Sequence, residues 1–453
     1  MTPTQIRSFP IRSTDIKTIA PGIDPDELGL EYEISPQTNT KGERTGRFEL
    51  RPVLDLGDYK FRAEIDWVEF EARTVETTQS RHIHALLQKA LVARGFSPKF
   101  WVGGQKRARK TGAPKGSVTG EIFWVRLQDP TPKLVRAVIA VLMSSGKIEV
   151  DTEMPRGSLP VTGIEVAVDV YPNKDGEITD HEWTLMRLKM SEHLRKHFAP
   201  SDLFNDHYAD RLRWVGRDKQ AKHLIYGPKP RDGEARFKSL MSKHDVSGFL
   251  RTASIANNHR SAPVEATVYV GQNQGPVMWR LQDKTHDERR GETAKMLPIE
   301  KRRSRIEVTM LKTDSDWEGD HHDVPGAIGL EGLWDLNGFK FERLRTMGFN
   351  FHIPTVDCLK GDPLLPDETE IEIFAGSGVY GLRRYQHAKQ IDVKGNAKRP
   401  HGKANFDLNG KGHMTVDAET TARVTDALKR LTERGRPKGE KAEGDGGRRE
   451  KGT

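Results

Sequence analysis

Three segments between residues 264 and 310 alternate apolar and polar side chains with a period of two. The apolar positions are Val264, Ala266, Val268 and Val270 in the first segment, Val277, Trp279 and Leu281 in the second, and Ile306, Val308 and Met310 in the third. This alternation is typical of half-buried strands. The glycine-containing segment 271–276 between the first two is typical of a hairpin connection. We therefore predict antiparallel strands with one apolar and one polar face.

The polar face carries an unusual set of side chains. Its members are Glu265, Thr267, Tyr269, Arg280, Gln282, Lys284, Arg305, Glu307 and Thr309. A merely solvated face would more often carry Thr, Lys and Ser. An exposed sheet with ordinary cross-strand charge pairs remains an equally good interpretation of the pattern alone.

Helical periodicity and short apolar runs predict the remaining elements. Helices are expected at 77–95, 132–145, 179–198, 333–348 and 417–434, and strands at 65–72, 100–102, 121–127, 164–171 and 371–374. Thr179 followed by Glu182 forms a capping-box pattern at the start of the third helix. The order of elements predicts an α+β fold, with a mostly antiparallel sheet, helices packed on one face and a polar active-site face on the other.

Composition separates the chain into four predicted regions. Residues 1–60 are rich in Pro, Gly, Thr and charge and are interpreted as an extended N-terminal arm. Residues 61–350 form the predicted core, and 351–434 a C-terminal extension. Residues 435–453 are basic, contain no apolar cluster and are predicted to be a disordered tail.

Charge and hydropathy restrict the partners and the compartment. The 453 residues carry a formal net charge of +8, which suits nucleic acid or an anionic membrane surface. The sequence has neither an apolar run of about 18 residues nor a secretory h-region, so we expect a cytoplasmic protein without a membrane partner. Cys358 is the sole cysteine, which excludes an internal disulfide, and we expect a buried side chain there.

Two loops contain candidate functional residues. Residues 103–116 hold Lys106, Arg107, Arg109, Lys110 and Lys115 without an acidic residue, a pattern that favours contact with a DNA backbone over a solvated hairpin tip. Residues 376–389 form a predicted glycine-rich turn followed by Tyr385 and Lys389. If 382–389 is helical, these two share a face and could act as a nicking pair. Tyr385 as an ordinary surface or core aromatic is the alternative.

The central strands resemble the replication initiation factor family, which starts rolling-circle replication in plasmids and filamentous phages. The similar motifs are T-V-Y-V-G at 267–271, W-R-L-Q-D-K at 279–284 and R-S-R-I-E-V at 303–308. Upstream, 164–171 resembles the family's acidic "R-x-D-x-A-x-D" strand and 65–70 its opening "DW-x-x-F" strand. The similarity covers roughly residues 60 to 350.

The resemblance implies a DNA-nicking reaction at an origin hairpin or single strand. A tyrosine would attack a phosphodiester, leaving a 5′-phosphotyrosyl link and a free 3′-OH. Glu165 and Asp169 share a strand face with each other, and Glu307 lies on the polar face of its own strand. As oxygen ligands the three suit Mg²⁺ or Mn²⁺. Lys284 would stabilise the developing phosphate charge, and Arg280 is assigned to DNA contact.

The chain departs from the family at the expected nucleophile. Gln282 occupies the place of the family's catalytic tyrosine, and glutamine cannot attack a phosphodiester. The nucleophile is left open between Tyr269 and Tyr385. The alternatives are a non-catalytic DNA-binding protein on the same fold and, less favoured, an RNA-binding protein. A host helicase or polymerase as partner and a homodimer also stay open.

Overall fold

The computed structural model describes residues 4–13, 22–104, 118–150, 158–173, 178–199, 213–217, 223–226, 263–270, 276–290, 293–313, 323–393 and 414–435. The chain divides into two compact units. The first contains 1–66, 163–324 and 342–428, and the second contains 67–162, 325–341 and 429–453. Helices and antiparallel sheets occur in the described chain, and the predicted α+β class is confirmed.

Strands β1 to β17 follow one another along the described chain. Their bounds are β1 Gln5–Pro10, β2 Gly29–Thr38, β3 Arg44–Pro52, β4 Tyr59–Gln79, β5 Phe100–Gly104, β6 Thr119–Gln128, β7 Val161–Pro172, β8 Arg213–Arg217, β9 His223–Tyr226, β10 Thr267–Val270, β11 Val277–Lys284, β12 His286–Arg290, β13 Thr293–Met296, β14 Arg303–Leu311, β15 His352–Leu359, β16 Asp362–Pro366 and β17 Met414–Val416. The longer helices are α1 Ser80–Val92, α2 Pro132–Ser144, α3 Asp180–His197, α4 Glu368–Val393 and α5 Ala418–Gly435. Short helical turns lie at Pro25–Glu27, Leu56–Asp58, Ile299–Lys301, Val324–Ala327, Leu333–Asn337, Phe341–Leu344 and Arg345–Gly348.

The first unit contains the predicted central sheet. The strands of this sheet in the first unit have the order β4-β7-β14-β11-β10-β8-β9, and each pairing from β7 to β9 is antiparallel. The alternating apolar positions on β10, β11 and β14 are buried, which confirms the predicted strands and their buried face. Helix α3 packs on that face, where the hydroxyls of Ser191 and Ser304 lie 2.7 Å apart.

A second sheet in the same unit joins the two ends of the chain. Its order is β1-β2-β3-β15-β16, and β17 also pairs with β15. The predicted N-terminal arm therefore differs from the structure, since it supplies three strands. Leu30, Tyr32 and Ile34 alternate in β2 and are buried with Val356. The polar composition of residues 1–60 concealed a period-two pattern that stabilises the sheet by burying apolar surface.

In the second unit, β6 pairs antiparallel with both β5 and β4. Helix α1 contacts β5 and β6, and it buries Ile83, Leu87 and Leu91. Helix α2 begins after Thr131, whose side chain accepts a hydrogen bond from the N–H of Leu134. Both helices confirm the periodicity read from the sequence.

Two predicted elements are wrong. The strand at 371–374 lies inside α4, whereas the glycine-rich turn predicted after it is a break in this helix at Gly378. Asp367 accepts hydrogen bonds from the N–H groups of Thr369 and Glu370, which favours a helix over the strand suggested by Ile371 and Ile373. Residues 333–348, predicted as one helix, instead form 3-10 turns and one short α-helical turn.

Several predictions fall partly or wholly outside the described residues. Lys106, Arg107, Arg109 and Lys110 lie there, as does the tail from residue 436 onward. Cys358 is half-buried and packs against the core of the second sheet. Within the described part of the chain, no helix is both long and apolar enough to span a membrane.

Candidate metal and phosphate site

The polar face of the central sheet brings acidic and basic residues into register. Glu307 on β14 lies opposite Arg280 on β11. On its other side, β14 places Arg305 opposite Asp169 and Thr309 opposite Glu165. Directly opposed residues of antiparallel strands share a face. These side chains therefore lie together on one face of the sheet, as the period-two pattern of the sequence predicted.

Three carboxylates form the acidic group of this face. Asp66, Glu165 and Glu307 each offer an oxygen, and these oxygens lie within 4.8 Å of one another. The Glu307 side chain is 1% exposed and that of Glu165 8%. Sequence reasoning missed Asp66 as a member. Its position in the acidic start of the "DW-x-x-F" motif was the available signal, because β4 lies next to β7.

Two arginines bind these carboxylates. Arg280 pairs with Glu307 and lies 3.3 Å from an oxygen of Glu165. Arg305 donates to Asp66 at 2.8 Å and to Glu307 at 3.2 Å. Thr309 adds a hydroxyl bond to Glu165. Because guanidinium groups and a divalent cation satisfy the same oxygens, a bound metal would compete with these contacts.

Asp169 lies on the same face with different partners. Arg305 donates to it at 2.6 Å, and the guanidinium of Arg303 lies 2.9 Å from it. Asp169 is fully buried. Burial opposes its ionisation, but Arg305 and Arg303 together hold its pKa below the ordinary value. The predicted ligand is thus placed in an ion-pair network beside the three-carboxylate group, and its role as a metal ligand stays a prediction.

The electrostatics of the three-carboxylate group favour an added cation. Burial raises the pKa of Asp66 to about 7, with further increases from Glu307 and Glu165, although Arg305 lowers it. Burial and then the neighbouring Glu307 raise the pKa of Glu165. Mutual repulsion among buried carboxylates raises their pKa values in this way. A divalent cation would relieve that repulsion and lower these values.

Lys284 lies at the end of β11 beside the arginines. Burial, Arg305 and Arg303 lower its pKa, and it lies opposite Arg303 in the register. Its neighbour Asp283 faces the other way and pairs with Arg187 of α3, with both side chains buried. In the W-R-L-Q-D-K segment, Arg280 and Lys284 therefore lie on the polar face, whereas Asp283 faces helix α3.

The two predicted tyrosines have different surroundings. Tyr269 lies opposite Arg280 on the polar face and is half-buried. Tyr385 packs against the core of the other sheet in this unit, and the side chain of Lys389 lies outside the described residues. The structure thus brings Tyr269 to the carboxylate face and leaves Tyr385 half-buried against the core of the other sheet.

Tyr171 is a further tyrosine of this face that sequence reasoning missed. It follows Asp169 by two positions on β7, and its hydroxyl lies 3.5 Å from Asp169. The guanidinium of Arg303 lies 5.7 Å from its ring centre. Burial and then Asp169 raise the pKa of Tyr171 to about 12. Its period-two spacing from Glu165 and Asp169 was the signal that could have found it.

Gln282 contacts the acidic group directly. Its side-chain amide donates to Glu307 at 2.9 Å. The position at which the resemblance expects a tyrosine therefore touches a candidate metal ligand, and the amide is held there by a hydrogen bond.

The residues present fit a hard divalent cation. Asp66, Glu165 and Glu307 supply only carboxylate oxygens, the donor type preferred by Mg²⁺ and Mn²⁺. The described part of the chain holds a second potential ligand group, His193, His197 and Asp417. There, however, both ring nitrogens of His197 are hydrogen-bonded, one to Tyr32 at 3.1 Å and one to the carbonyl of His352 at 2.7 Å.

Comparisons with known proteins add one distant likeness. A solved structure of a rolling circle replication initiator protein from Geobacillus stearothermophilus aligns with 67% of this chain and 89% of its own. The identity is 11% and the TM-score 0.23. No family model matches the chain, and no curated protein matches it.

Proposed function

We propose that this protein is a metal-dependent DNA-nicking enzyme of the rolling-circle initiator type. The observation that carries the proposal is the group formed by Asp66, Glu165 and Glu307 on a sheet face that also holds Arg280 and Tyr269. Carboxylates that hold a divalent cation, cationic side chains and a tyrosine are the groups that phosphodiester transfer to a tyrosine requires.

Each side chain has a role in this proposal. Asp66, Glu165 and Glu307 would hold Mg²⁺ or Mn²⁺, which when bound polarises a phosphate oxygen. Arg280 and Lys284 would neutralise charge on the phosphate. The phenol oxygen of Tyr269 would bond to phosphorus as the bond to the 3′ oxygen breaks. The phenol proton passes to a base, and the released 3′ oxygen takes up a proton.

Nicking of supercoiled DNA tests the proposal. The substrate would carry the region around the protein's own gene, with Mn²⁺ or Mg²⁺ present, and a denaturing gel would detect a covalent protein–DNA adduct. Peptide mapping would then identify the linked tyrosine. We expect Tyr269→Phe to abolish the adduct and Tyr385→Phe to retain it. An adduct that maps to Tyr171 would support the nicking reaction but would show that Tyr171, and not Tyr269, is the nucleophile.

Removal of one candidate ligand should separate metal binding from folding. We expect Glu307→Gln to weaken Mn²⁺ binding by at least about 10- to 100-fold, since losing even an outer-shell partner costs that much. Isothermal titration calorimetry measures the affinity. Glu33→Gln, on an exposed position of β2 in the other sheet, is the matched control. Equal Mn²⁺ affinity in both variants would contradict the assignment of the ligands.

A non-catalytic DNA-binding protein is the second candidate, favoured by the bond between Gln282 and Glu307. Under this reading the wild type binds its DNA specifically and never nicks it. Gln282→Tyr would then place a phenol beside the carboxylates. If Gln282→Tyr nicks the DNA and the wild type does not, the protein is a non-catalytic DNA-binding protein. Nicking by the wild type would exclude this alternative.

The remaining attributes follow from the proposed function. DNA is the proposed partner, as an origin hairpin or a single strand, and Arg280 is its proposed contact on the described face. A cytoplasmic location is part of the same proposal.

A further inference from the structure

Three tryptophans lie on one face of the paired strands β5, β6 and β4 in the second unit. In β6, the buried Phe123, Val125 and Leu127 alternate with the partly exposed Trp124 and Arg126. The ring of His84 on α1 stacks on Phe100 at 4.7 Å between ring centres, and Phe100 lies opposite Leu127. Helix α1 therefore packs on the apolar face, and Trp124 lies on the other.

The strand register places two further tryptophans on the same face as Trp124. Trp101 on β5 lies opposite Arg126, and Trp67 on β4 lies opposite Gln128. Arg126 and Gln128 share the face of Trp124 because they follow it at intervals of two. We call Trp67, Trp101 and Trp124 the tryptophan face. Trp101 lies diagonal to Trp124, and diagonal Cβ atoms lie about 7–8 Å apart, so these two rings are neighbours on the face. Trp67 is buried and lies opposite Gln128, further along β6.

Gly103 gives this surface its shape. It lies opposite Trp124, and a Cβ atom at Gly103 would lie 2.2 Å from two carbons of the indole. Such a separation is far inside van der Waals contact, so the indole of Trp124 lies against the bare backbone of β5. Beside it, Trp101 is 41% exposed. An exposed indole next to one lying against the strand is a platform suited to a flat ring.

Arg126 covers the ring of Trp67, the third tryptophan of this face. Its guanidinium lies 4.0 Å from the ring centre of Trp67, a cation–π distance. It also donates to the buried Glu69 at 2.8 Å, and Thr162 donates to the second oxygen of Glu69 at 2.9 Å. Glu69 is thereby paired, and it adds no exposed negative charge to the tryptophan face.

The sequence that joins β5 to β6 favours an anionic partner. The segment of sequence that connects β5 to β6 carries five lysines and arginines between residues 105 and 118 and no acidic residue. Its structure lies outside the described residues. Both strands that it joins carry the tryptophan face, and aromatic rings combined with positive charge are the usual means of binding unpaired bases.

We propose that the tryptophan face binds single-stranded DNA by stacking unpaired bases on Trp101 and Trp124. Duplex DNA keeps its bases stacked on one another, so the platform selects unpaired strands. This binding is separate from the carboxylate group in the first unit. Only the choice of DNA over RNA rests on the proposed function.

Fluorescence anisotropy of a labelled oligothymidine of about 12 nucleotides tests the proposal in the full-length protein. Trp101→Leu retains apolar area but removes the aromatic ring, whereas Trp101→Phe retains a ring. We expect Trp101→Leu to weaken binding by about 5- to 150-fold, the equivalent of one stacked base, and Trp101→Phe to weaken it less. Val75→Ala, an exposed aliphatic position of β4, is the control and should bind as the wild type does.

Three outcomes decide the question. Wild-type affinity of Trp101→Leu for oligothymidine, with circular dichroism unchanged, would overturn the proposal. An equal loss of affinity for a duplex of the same length would show general electrostatic binding and would also overturn it. Tighter binding of oligouridine than oligothymidine would overturn the assignment to DNA. Glu307→Gln should lose nicking but bind oligothymidine normally. A failure of the proposed nicking reaction can therefore be told apart from a failure of the proposed binding to the tryptophan face.

Discussion

Arg305 connects more of the carboxylates on the polar face than any other described residue. It is 1% exposed and lies within ion-pair distance of Glu64, Asp66, Asp169 and Glu307. Burial disfavours its charge, but Asp169 and the other acids raise the pKa of its guanidinium. A charge this buried is tolerated only when it is paired, so the acidic and basic members of the face depend on one another.

Removing the Arg305 charge should therefore destabilise the fold. We expect Arg305→Met to lower the free energy of unfolding by about 3–5 kcal/mol, because Asp169 loses a buried partner. Urea denaturation followed by circular dichroism measures the change. Arg62→Met removes an ion pair with Glu64 in which the arginine is 54% exposed, and it should cost no more than about 1 kcal/mol. Equal stability of the two variants would show that the network contributes little.

At the scale of elements, α4 shows how a local pattern is overruled. Ile371 and Ile373 alternate as in a strand, yet both are buried in a helix. The helix is interrupted at Gly378, which has φ 66° and ψ −166°. A Cβ there would lie 2.6 Å from the carbonyl oxygen of Lys196. The glycine-rich sequence marks a close approach of two helices rather than a loop.

Gly378 should consequently tolerate no side chain. We expect Gly378→Ala to destabilise the protein by at least about 3 kcal/mol, because a strained φ costs about 1–3 kcal/mol and the overlap with Lys196 adds to it. Gly46→Ala isolates the backbone term, since Gly46 has φ 78° and no neighbour within 4 Å of the added Cβ. It should cost about 1–2 kcal/mol. Thermal unfolding of both variants compares them, and equal losses would contradict the steric argument.

The sequence predicted what depends on strand periodicity and missed what depends on distant pairing. Glu307, Arg280 and Tyr269 could be placed on one face because alternate residues of a strand share a side. Asp66 could not be added, because its place depends on β4 lying next to β7. The second sheet could not be predicted for the same reason, because β3 and β15 are distant in sequence and neither contains a pattern that indicates the other as its partner.

At the scale of the whole chain, buried histidines link distant segments of the first unit. His193 and His197 on α3 lie with ring centres 4.6 Å apart. His193 contacts Thr420 of α5 at 3.0 Å, and His197 contacts Tyr32 of β2 and the carbonyl of His352 on β15. Among charged groups, Asp417 acts on His193 and Lys196 acts on His197, while Glu192 faces Tyr32 and Arg383 faces His352. Burial lowers the pKa of both histidines.

These histidines should make the fold sensitive to acid. The unfolded chain binds their protons below about pH 6.5, whereas the folded chain keeps them neutral, so stability falls as the pH falls through that value. Each contributes a slope of at most about 1.4 kcal/mol per pH unit. We expect His193→Gln to reduce the slope of unfolding free energy just below pH 6.5 by up to that amount. Val92→Ala, on an exposed position of α1, should leave the slope unchanged, and equal slopes in both variants would contradict this account.

The pairing of β3 with β15 also affects folding during synthesis, because the two strands leave the ribosome at different times. Arg47 and Asp357, bonded at 2.9 Å across these strands, are 310 residues apart in sequence. A ribosome at about 5–20 residues per second needs tens of seconds to reach β15 after releasing β3. Through that interval the hydrogen-bonding edge of β3 has no native partner, and such an edge pairs readily with other chains. Production of this protein should therefore depend on chaperone capacity and temperature more than its final stability suggests.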